Sequence, residues 1–205
     1  MSEPSNPAGN ALIAASPLAH HWRPGRHGAA EPDVMTISER RLAIVQLTAR
    51  KDQVEATAAA LASVTGLDLP QPGHTSSARD LMAVWAQPNS WLLMQPLRPG
   101  PSLPRVLDAA CGGVASIVDL TGGRAVLRLA GGRVRDVLAK GCRIDLHPRA
   151  FGPGRSAMTV IGHVETVVIQ IDEAPTFDLI VPATYAASFL DWLERAAEEW
   201  GYELI

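Results

Sequence analysis

The sequence is poor in cysteine and in aromatic residues and has no long apolar run, and these shortages exclude several classes of protein. Its 205 residues include two cysteines, Cys111 and Cys142, and no Cys-x-x-Cys pair. A disulfide framework and a zinc site built on a cysteine quartet are therefore excluded. No apolar run approaches the roughly 18 residues of a membrane-spanning helix, and the N-terminus has no basic start followed by an apolar block. We expect a cytoplasmic chain that makes no contact with a membrane.

A strong charge of one sign is also missing. The formal net charge is −3, and 47% of the residues are hydrophobic against 19% charged, which is typical of a globular chain. Nucleic-acid-binding proteins usually carry a basic surplus, so no nucleic-acid partner is expected. In one segment, however, the basic residues are concentrated, and there they either lie on solvated faces beside aspartates or bind an acidic partner or an anionic ligand. These residues are Arg124, Arg128, Arg133, Arg135, Lys140, Arg143, Arg149 and Arg155.

The N-terminal segment differs in composition from the rest of the chain. Residues 1–35 are rich in Pro, Gly, Ala, Ser and His, and we predict that they form a flexible arm. Leu18 and Trp22 are exceptions, because an exposed Trp on an arm has to bury itself on this chain or on another. The ordered body is predicted to span residues 36–205.

Within this body, strand and helix patterns follow one another in a similar order twice. Asp52, with Glu55 three residues later, predicts a capping box at the first helix. Neighbouring strands are joined by tight turns, which argues against a doubly wound parallel sheet. The sequence therefore predicts an α+β fold of two similar sheet-and-helix halves, at about residues 36–112 and 113–205. The predicted strands are 42–48, 81–85, 91–94, 114–120, 125–129, 158–162, 166–171 and 177–181, and the predicted helices lie between Asp52 and Gly66 and at 103–110, 132–140 and 185–200.

No motif completes a catalytic, cofactor or metal site. Gly122-Gly123 and Gly131-Gly132 fit turns, and neither has the spacing of a phosphate-binding loop. His20, His21 and His27 lie on the predicted arm, where no rigid element fixes a metal geometry. The pattern Gly-x-Ser-x-Gly is absent, and no carboxylate pair stands out as acid and base. We therefore predict no catalytic, cofactor-binding or metal-binding residue, and a binding or structural subunit rather than an enzyme.

His147 is the histidine with the most suggestive surroundings. It follows a predicted helix and lies between Asp145 and the pair Pro148-Arg149. We interpret it as a surface histidine hydrogen-bonded to a loop carbonyl, with a catalytic role as the alternative.

Several segments, taken in order and spacing, resemble a known family. They are Ser16-Pro-Leu18, Ile37-Ser-Glu39, Val84-Trp-Ala-Gln-Pro-Asn-Ser-Trp-Leu-Leu93, Asp119-Leu-Thr-Gly-Gly-Arg-Ala-Val-Leu-Arg128, Asp136-Val-Leu-Ala-Lys-Gly-Cys142, Asp145-Leu-His-Pro-Arg-Ala-Phe151 and Pro175-Thr-Phe-Asp-Leu179. On these segments the chain resembles the gamma subunit of heterotetrameric sarcosine oxidase. That family is related to the folate-binding domain of glycine-cleavage aminomethyltransferases, so the resemblance implies a fold like that domain.

The resemblance implies a function carried out together with alpha, beta and delta subunits. Such a complex oxidises the N-methyl group of sarcosine, giving glycine and hydrogen peroxide. It passes the one-carbon unit to tetrahydrofolate, the co-substrate, to form 5,10-methylenetetrahydrofolate. FAD, FMN, NAD and zinc are implied on the other subunits. No residue here matches the folate-contacting carboxylate of the active relatives, although Asp119 falls at a strand end like theirs.

This chain is therefore expected to be a non-catalytic scaffold and assembly subunit. The expected subunit interface includes Trp22, Arg124, Arg128, His147 and Arg149. One alternative is a subunit of a related N-methyl amino acid dehydrogenase, such as N-methylglutamate dehydrogenase. Another is a domain that binds folate and transfers one-carbon units.

Overall fold

A computed structural model describes residues 16–30 and 34–205 of the chain. The strands are β1 (Gly25–His27), β2 (Met35–Glu39), β3 (Leu42–Ala49), β4 (Thr75–Ala78), β5 (Leu81–Gln87), β6 (Ser90–Pro96), β7 (Ala115–Asp119), β8 (Arg124–Ala130), β9 (Ser156–Ile161), β10 (Val164–Asp172), β11 (Thr176–Pro182) and β12 (Tyr202–Leu204). The helices are α1 (Val54–Thr65), α2 (Leu103–Cys111), α3 (Val134–Ala139) and α4 (Ala186–Ala197).

The strands form two sheets. The seven-stranded sheet has the order β1-β12-β2-β8-β11-β10-β9, and the five-stranded sheet has the order β4-β5-β6-β3-β7. Neighbouring strands pair antiparallel except β12 and β2, which are parallel. The pairing of β12 with β1 and β2 ties the end of the chain to the first strands of the described part.

The two sheets pack face to face, because alternate residues of their strands are apolar on the inner face. In β3, Leu42 and Ile44 point towards the other sheet, whereas Val45 and Leu47 point towards the helices. Both faces of β3 are thus buried, which explains its nearly continuous apolar sequence. The inter-sheet core consists of Leu42, Ile44, Val84, Ala86, Leu92, Met94, Val126, Val167, Ile169 and Ile180.

Helices cover the two outer faces. Phe189 and Leu193 of α4, together with Val137 of α3, pack on the seven-stranded sheet. Leu61 of α1 and Leu107 of α2 pack on the five-stranded sheet. The layers are therefore helix, sheet, sheet and helix, and the predicted α+β class is confirmed. None of the helices in the described ranges is long and apolar enough to span a membrane.

The sheet boundaries differ from the predicted halves. β2 lies in the sheet of the second half, and β7 lies in the sheet of the first half. The predicted boundary near residue 112 therefore falls one strand too early, because β7 pairs with β3 rather than with β8. The strands β1, β2, β4 and β12 fall outside the predicted elements.

The predicted N-terminal arm needs a correction for residues 16–30. Leu18 is completely buried and Trp22 packs against the core of the seven-stranded sheet. β1 pairs with β12, and Gly25 lies opposite Leu204. Apolar side chains and an available strand edge hold this part of the predicted arm on the body. The predicted arm residues 1–15 and 31–33 lie outside the described ranges.

The predicted capping box at Asp52 is wrong. Asp52 has a φ of 59°, Gln53 occupies the N-cap position of α1, and no side chain caps the helix. The Gln53 amide donates to the Arg50 carbonyl at 3.0 Å. Asp52 thus belongs to a tight turn, in the left-handed conformation that Asp tolerates better than most residues.

Candidate interaction surface

Asp178 is the one buried charged side chain among the described residues, with 1% of its side chain exposed. It lies opposite Arg128 in the antiparallel pairing of β11 with β8. Arg128 donates from Nε to Oδ1 at 2.7 Å and from Nη2 to Oδ2 at 2.9 Å. Arg40 donates from Nη1 to Oδ2 at 3.1 Å. These three residues form the Asp178 cluster, in which two cations offset the cost of burying one carboxylate.

Strand alternation places the Asp178 cluster at the margin of the inter-sheet core. Val126 of β8 and Ile180 of β11 belong to that core, and Arg128 and Asp178 lie two residues away on the same strand faces. The side chains of Arg40 and Arg128 are 29% and 30% exposed. The cluster therefore reaches from the core to the protein surface.

Arg124 shares a strand face with Arg128, because the two residues are four apart on β8. It directly follows the turn that contains Gly122-Gly123, and its half-buried side chain lines a cleft with Thr121. The charge of Arg128 is satisfied within the chain by Asp178, whereas the Arg124 side chain reaches solvent. Of the predicted interface residues, Arg128 thus has a clear structural partner.

His147 and Arg149 lie in one exposed loop after α3. The His147 amide donates to Asp145 Oδ1 at 2.8 Å, and the Arg149 amide donates to His147 Nδ1 at 3.2 Å. Because Nδ1 accepts, the neutral ring carries its proton on Nε2. We predicted a hydrogen bond from His147 to a loop carbonyl. For Nδ1 this prediction is wrong, because this atom accepts from a backbone amide instead. His147 lines a cleft of about 420 Å³ together with Arg135 and Cys142.

Trp22 buries part of its ring on its own chain. Its amide donates to the Leu18 carbonyl at 2.8 Å, and its side chain packs against the core that contains Leu18. Of the predicted interface residues, the structure thus places Arg124 and Arg128 on one strand and His147 and Arg149 in one loop. Trp22 stands apart from both pairs on the N-terminal segment.

The segment Asp136–Cys142 includes the second half of α3, and it contacts the end of α4. Lys140 Nζ donates to the Ala196 carbonyl at 2.5 Å, pairs with Glu199 Oε1 at 2.5 Å and lies 4.3 Å from the centre of the Trp200 ring. A cation at the C-terminus of α4 is favoured by the helix dipole. The residues of this segment therefore serve to pack α3 against the end of α4.

Gly141 gives room to a tryptophan of α4. A Cβ atom at Gly141 would collide with the Trp192 ring, and one at Gly162 would lie 2.5 Å from the same ring. Both glycines therefore permit a close approach of backbone to the indole. Packing against Trp192 is therefore one reason for the glycine at position 141.

The segments Asp145–Phe151 and Pro175–Leu179 contact each other. Phe151 stacks on Phe177 with 6.4 Å between ring centroids, and the Arg135 guanidinium lies 5.3 Å from the centre of the Phe177 ring. Arg135 Nε also donates to the Leu146 carbonyl at 2.8 Å. Burial lowers the pKa of Arg135. These two segments of the family resemblance thus contact each other within the fold.

Both cysteines are free thiols, buried at Cys111 and half-buried at Cys142. Burial raises the pKa of both, and backbone hydrogen bonds from Ile144 and Arg143 partly oppose this at Cys142. A raised pKa keeps a thiol protonated and weakens it as a nucleophile. Within residues 16–30 and 34–205, no group of three or more His, Cys, Asp or Glu side chains could hold a metal ion.

Sequence reasoning missed Asp178 and Arg40 as members of one cluster. A signal was present, because Asp178 is the single charged residue in the apolar strand Thr176–Pro182. A buried carboxylate in such a strand requires a cationic partner. The identity of the partners follows only from the pairing of β8 with β11 and from the position of Arg40 after β2.

The chain matches the model of the family described as sarcosine oxidase, gamma subunit, over residues 50–199. It is 34% identical over 146 residues to the sarcosine oxidase subunit gamma of Arthrobacter sp., covering 69% of this chain and 70% of the relative. It is 29% identical over 187 residues to that of Corynebacterium sp. (strain U-96), covering 86% and 90%.

Solved structures agree with these matches. The heterotetrameric sarcosine oxidase from Corynebacterium sp. U-96 in complex with pyrrole 2-carboxylate includes a chain that matches at a TM-score of 0.77 and 28% identity, covering 91% of this chain and 95% of that one. The aminomethyltransferase T from Bartonella henselae matches at a TM-score of 0.62 and 12% identity, covering 84% and 48%, which is a likeness of fold alone. The family match covers well over half of the chain and confirms the resemblance seen in its segments, so the chain belongs to the sarcosine oxidase gamma subunit family.

Proposed function

We propose that this chain is the gamma subunit of a cytoplasmic heterotetrameric sarcosine oxidase, where it serves as a non-catalytic scaffold beside alpha, beta and delta subunits. The complex oxidises sarcosine to glycine with formation of hydrogen peroxide, and the one-carbon unit passes to tetrahydrofolate. The match to a chain of a heterotetrameric sarcosine oxidase over 91% of this chain supports membership in such a complex.

The scaffold role is supported mainly by the contacts that residues of the family segments make within this chain. Lys140 binds the end of α4, Gly141 admits Trp192, and Phe151 stacks on Phe177. Arg128, at the end of another segment, pairs with Asp178. These side chains maintain the shape of the subunit, as expected of a protein whose role is to present a surface.

FAD, FMN, NAD and zinc are proposed to reside on the other subunits. Trp22, Arg124, Arg128, His147 and Arg149 are the proposed contact residues, with Arg128 acting through its pairing with Asp178 and shaping the surface beside Arg124. Arg149 is exposed, and no partner of its guanidinium lies within the described residues.

Omission of this chain tests the proposal. The other three subunits are co-expressed with and without it, and assembly is measured by size-exclusion chromatography and sarcosine-dependent peroxide release. We expect the three subunits to associate poorly without it, and the purified chain to show no flavin absorbance and no turnover. Normal assembly and activity without it would exclude a scaffold role. Assays of the full complex with N-methylglutamate and other N-methyl amino acids distinguish sarcosine oxidase from a related dehydrogenase.

The second candidate, a domain that binds folate and transfers one-carbon units, is supported by the fold shared with aminomethyltransferase T. Isothermal titration of the full chain with tetrahydrofolate separates the two candidates. A dissociation constant of about a micromolar would favour folate binding, and no heat of binding at about a hundredfold higher ligand concentration would favour the scaffold.

A further inference from the structure

Two neighbouring clefts lie at the end of the sandwich where β3 begins and β6 ends. Both are lined by Arg40 and Leu42. The larger cleft, of about 210 Å³, is also lined by Arg79, and the narrower one by Arg124. Because one water needs about 10–15 Å³ of such space, the larger cleft admits a side-chain carboxylate with its hydration. The two clefts with their four arginines, Arg40, Arg41, Arg79 and Arg124, are named the arginine surface.

The arginine surface carries an excess of positive charge on a chain whose formal net charge is −3. Within residues 16–30 and 34–205, its lining contains four arginines and three acids, Glu39, Asp80 and Asp178. Asp178 is held by Arg40 and by Arg128, and Asp80 pairs with Arg98 at 2.8 Å. Arg41 makes a contact of its own and is left aside. With Arg98 and Arg128 included, five positive charges then face three negative ones among the described residues. The local field therefore favours a negatively charged group.

Arg79 and Arg124 are the arginines whose guanidinium groups are available to a ligand. Arg79 lies in the turn between β4 and β5 with a φ of 55° and is exposed. Arg124 is half-buried and opens β8. Within the described residues neither guanidinium has a hydrogen-bond or ion-pair partner. Guanidinium groups bind carboxylates in bidentate geometry, which suits recognition of Asp and Glu side chains.

The layout of the arginine surface favours a protein segment over a small anion. Arg79 and Arg124 line different clefts and come from different sheets, with the β2–β3 connection between them. One small carboxylate in either cleft would meet only one of these two side chains. A segment with several acidic side chains engages both clefts at once, and such charge complementarity speeds association and fixes orientation.

We propose that the arginine surface docks an acidic segment of another subunit of the complex, with Asp or Glu carboxylates bound to Arg79 and Arg124. This inference rests on the proposed function, because it requires that the chain assembles with partners. It names the surface and the chemistry of the partner.

Charge reversal tests the proposed docking surface. The double variant Arg79→Glu/Arg124→Glu is compared with wild type and with Lys51→Glu/Arg195→Glu, which makes the same charge change at two exposed positions outside both clefts. The full complex is assembled with each full-length chain, and the dissociation constant of that chain from the complex is measured at about 50 mM and about 300 mM salt. We expect the first variant to bind at least tenfold more weakly at low salt, with a smaller salt dependence, and the control to bind like wild type.

Two further measurements separate the possible outcomes. Circular dichroism and urea unfolding of Arg79→Gln/Arg124→Gln, together with its affinity, show whether loss of charge without reversal weakens binding in a folded chain. Equal affinities of wild type and both arginine variants would overturn the inference. Normal assembly of these variants combined with succinate binding only to the wild-type chain would also overturn it, in favour of a small-anion site. Failure of the wild-type chain to associate would overturn the proposed function itself.

Discussion

Arg128 and Asp178 face each other across β8 and β11 and form a bidentate ion pair, with distances of 2.7 Å and 2.9 Å. The carboxylate is buried and the guanidinium is partly exposed. Opposite charges at directly paired positions support strand pairing. The pair therefore supports the register of β8 against β11, and it does so at the margin of the inter-sheet core.

Removal of the guanidinium at position 128 is expected to destabilise the fold. Arg128→Met leaves Asp178 buried with Arg40 as its remaining cation, and we expect a loss of about 2–3 kcal/mol in the free energy of unfolding. Urea unfolding at about pH 7 measures it. The matched control is Arg133→Met, which breaks an exposed pair with Asp136 and should cost less than about 1 kcal/mol. Arg128→Met/Asp178→Leu should recover part of the loss, and equal costs for both single variants would contradict the structural role of the pair.

Gly141 is expected to tolerate no larger side chain. A Cβ atom there meets the Trp192 ring and lies 3.0 Å from the Gly162 amide nitrogen, so Gly141→Ala should lower the free energy of unfolding by about 1–3 kcal/mol. Gly113→Ala is the control, because a Cβ atom at Gly113 has no neighbour within 4 Å. It should change stability by less than about 1 kcal/mol. Trp192→Leu should make the Gly141→Ala change less costly, and an unchanged cost would locate the strain elsewhere.

The long, periodic elements could be predicted from the sequence, because their pattern is local. β3 alternates between two buried faces, and α4 presents Phe189 and Leu193 on one stripe. The short strands β1 and β12 could not be found in this way. Their pairing joins Gly25 to Leu204, and three residues carry too little periodicity to mark a strand.

The site could be predicted only in part, for a similar reason. The sequence showed that basic residues cluster from Arg124 onward, but not which of them are neutralised. Arg128 is opposed to Asp178 only after β8 and β11 pair, whereas Arg124 on the same strand face has no such partner among the described residues. The arginine surface also depends on Arg40 and Arg79, which come from distant segments and meet only when the sheets pack.

Leu18 is expected to contribute to stability as a core residue. It is completely buried against the seven-stranded sheet although it lies in the predicted arm. Leu18→Ala should cost about 2–5 kcal/mol in the free energy of unfolding, since it leaves a cavity. Leu97→Ala removes the same atoms from a side chain that is 45% exposed and should cost less than about 1 kcal/mol. Both are measured by urea unfolding. A neutral Leu18→Ala would mean that the N-terminal segment is not bound to the body in solution.

Tyr202 is expected to make the fold sensitive to alkaline pH. Its ring stacks on His27 at 5.3 Å, and burial, followed by the Glu194 and Glu198 carboxylates, raises the pKa of Tyr202 to about 12. An unfolded tyrosine has a pKa of about 10, so the stability that is present below about pH 10 is lost as the pH rises towards 12. As the pH rises from about 9.5 to 11.5, the free energy of unfolding of Tyr202→Phe should fall by about 1–2 kcal/mol less than that of wild type. The control Tyr185→Phe, at a side chain that is 56% exposed, should follow wild type. Parallel curves for all three chains would contradict the prediction.

Glu194 is expected to reduce stability at neutral pH. Burial, and then the Asp191 carboxylate, raise the pKa of Glu194, while nearby cationic groups on the N-terminal segment, led by His27, oppose the rise. A raised carboxyl pKa means that the stability present at low pH is lost as the pH rises through the folded-state value. Glu194→Gln should therefore be more stable than wild type at about pH 7, by about 0.2–0.5 kcal/mol, and the gain should vanish in acid. Glu173→Gln makes the same change in an exposed turn and is the matched control. The same Glu194→Gln change should lower the pKa of Tyr202, which a spectrophotometric titration measures, because the Glu194 charge contributes to its rise. A variant less stable than wild type at neutral pH would show that the electrostatic attraction between Glu194 and the N-terminal segment outweighs the cost of burying the carboxylate.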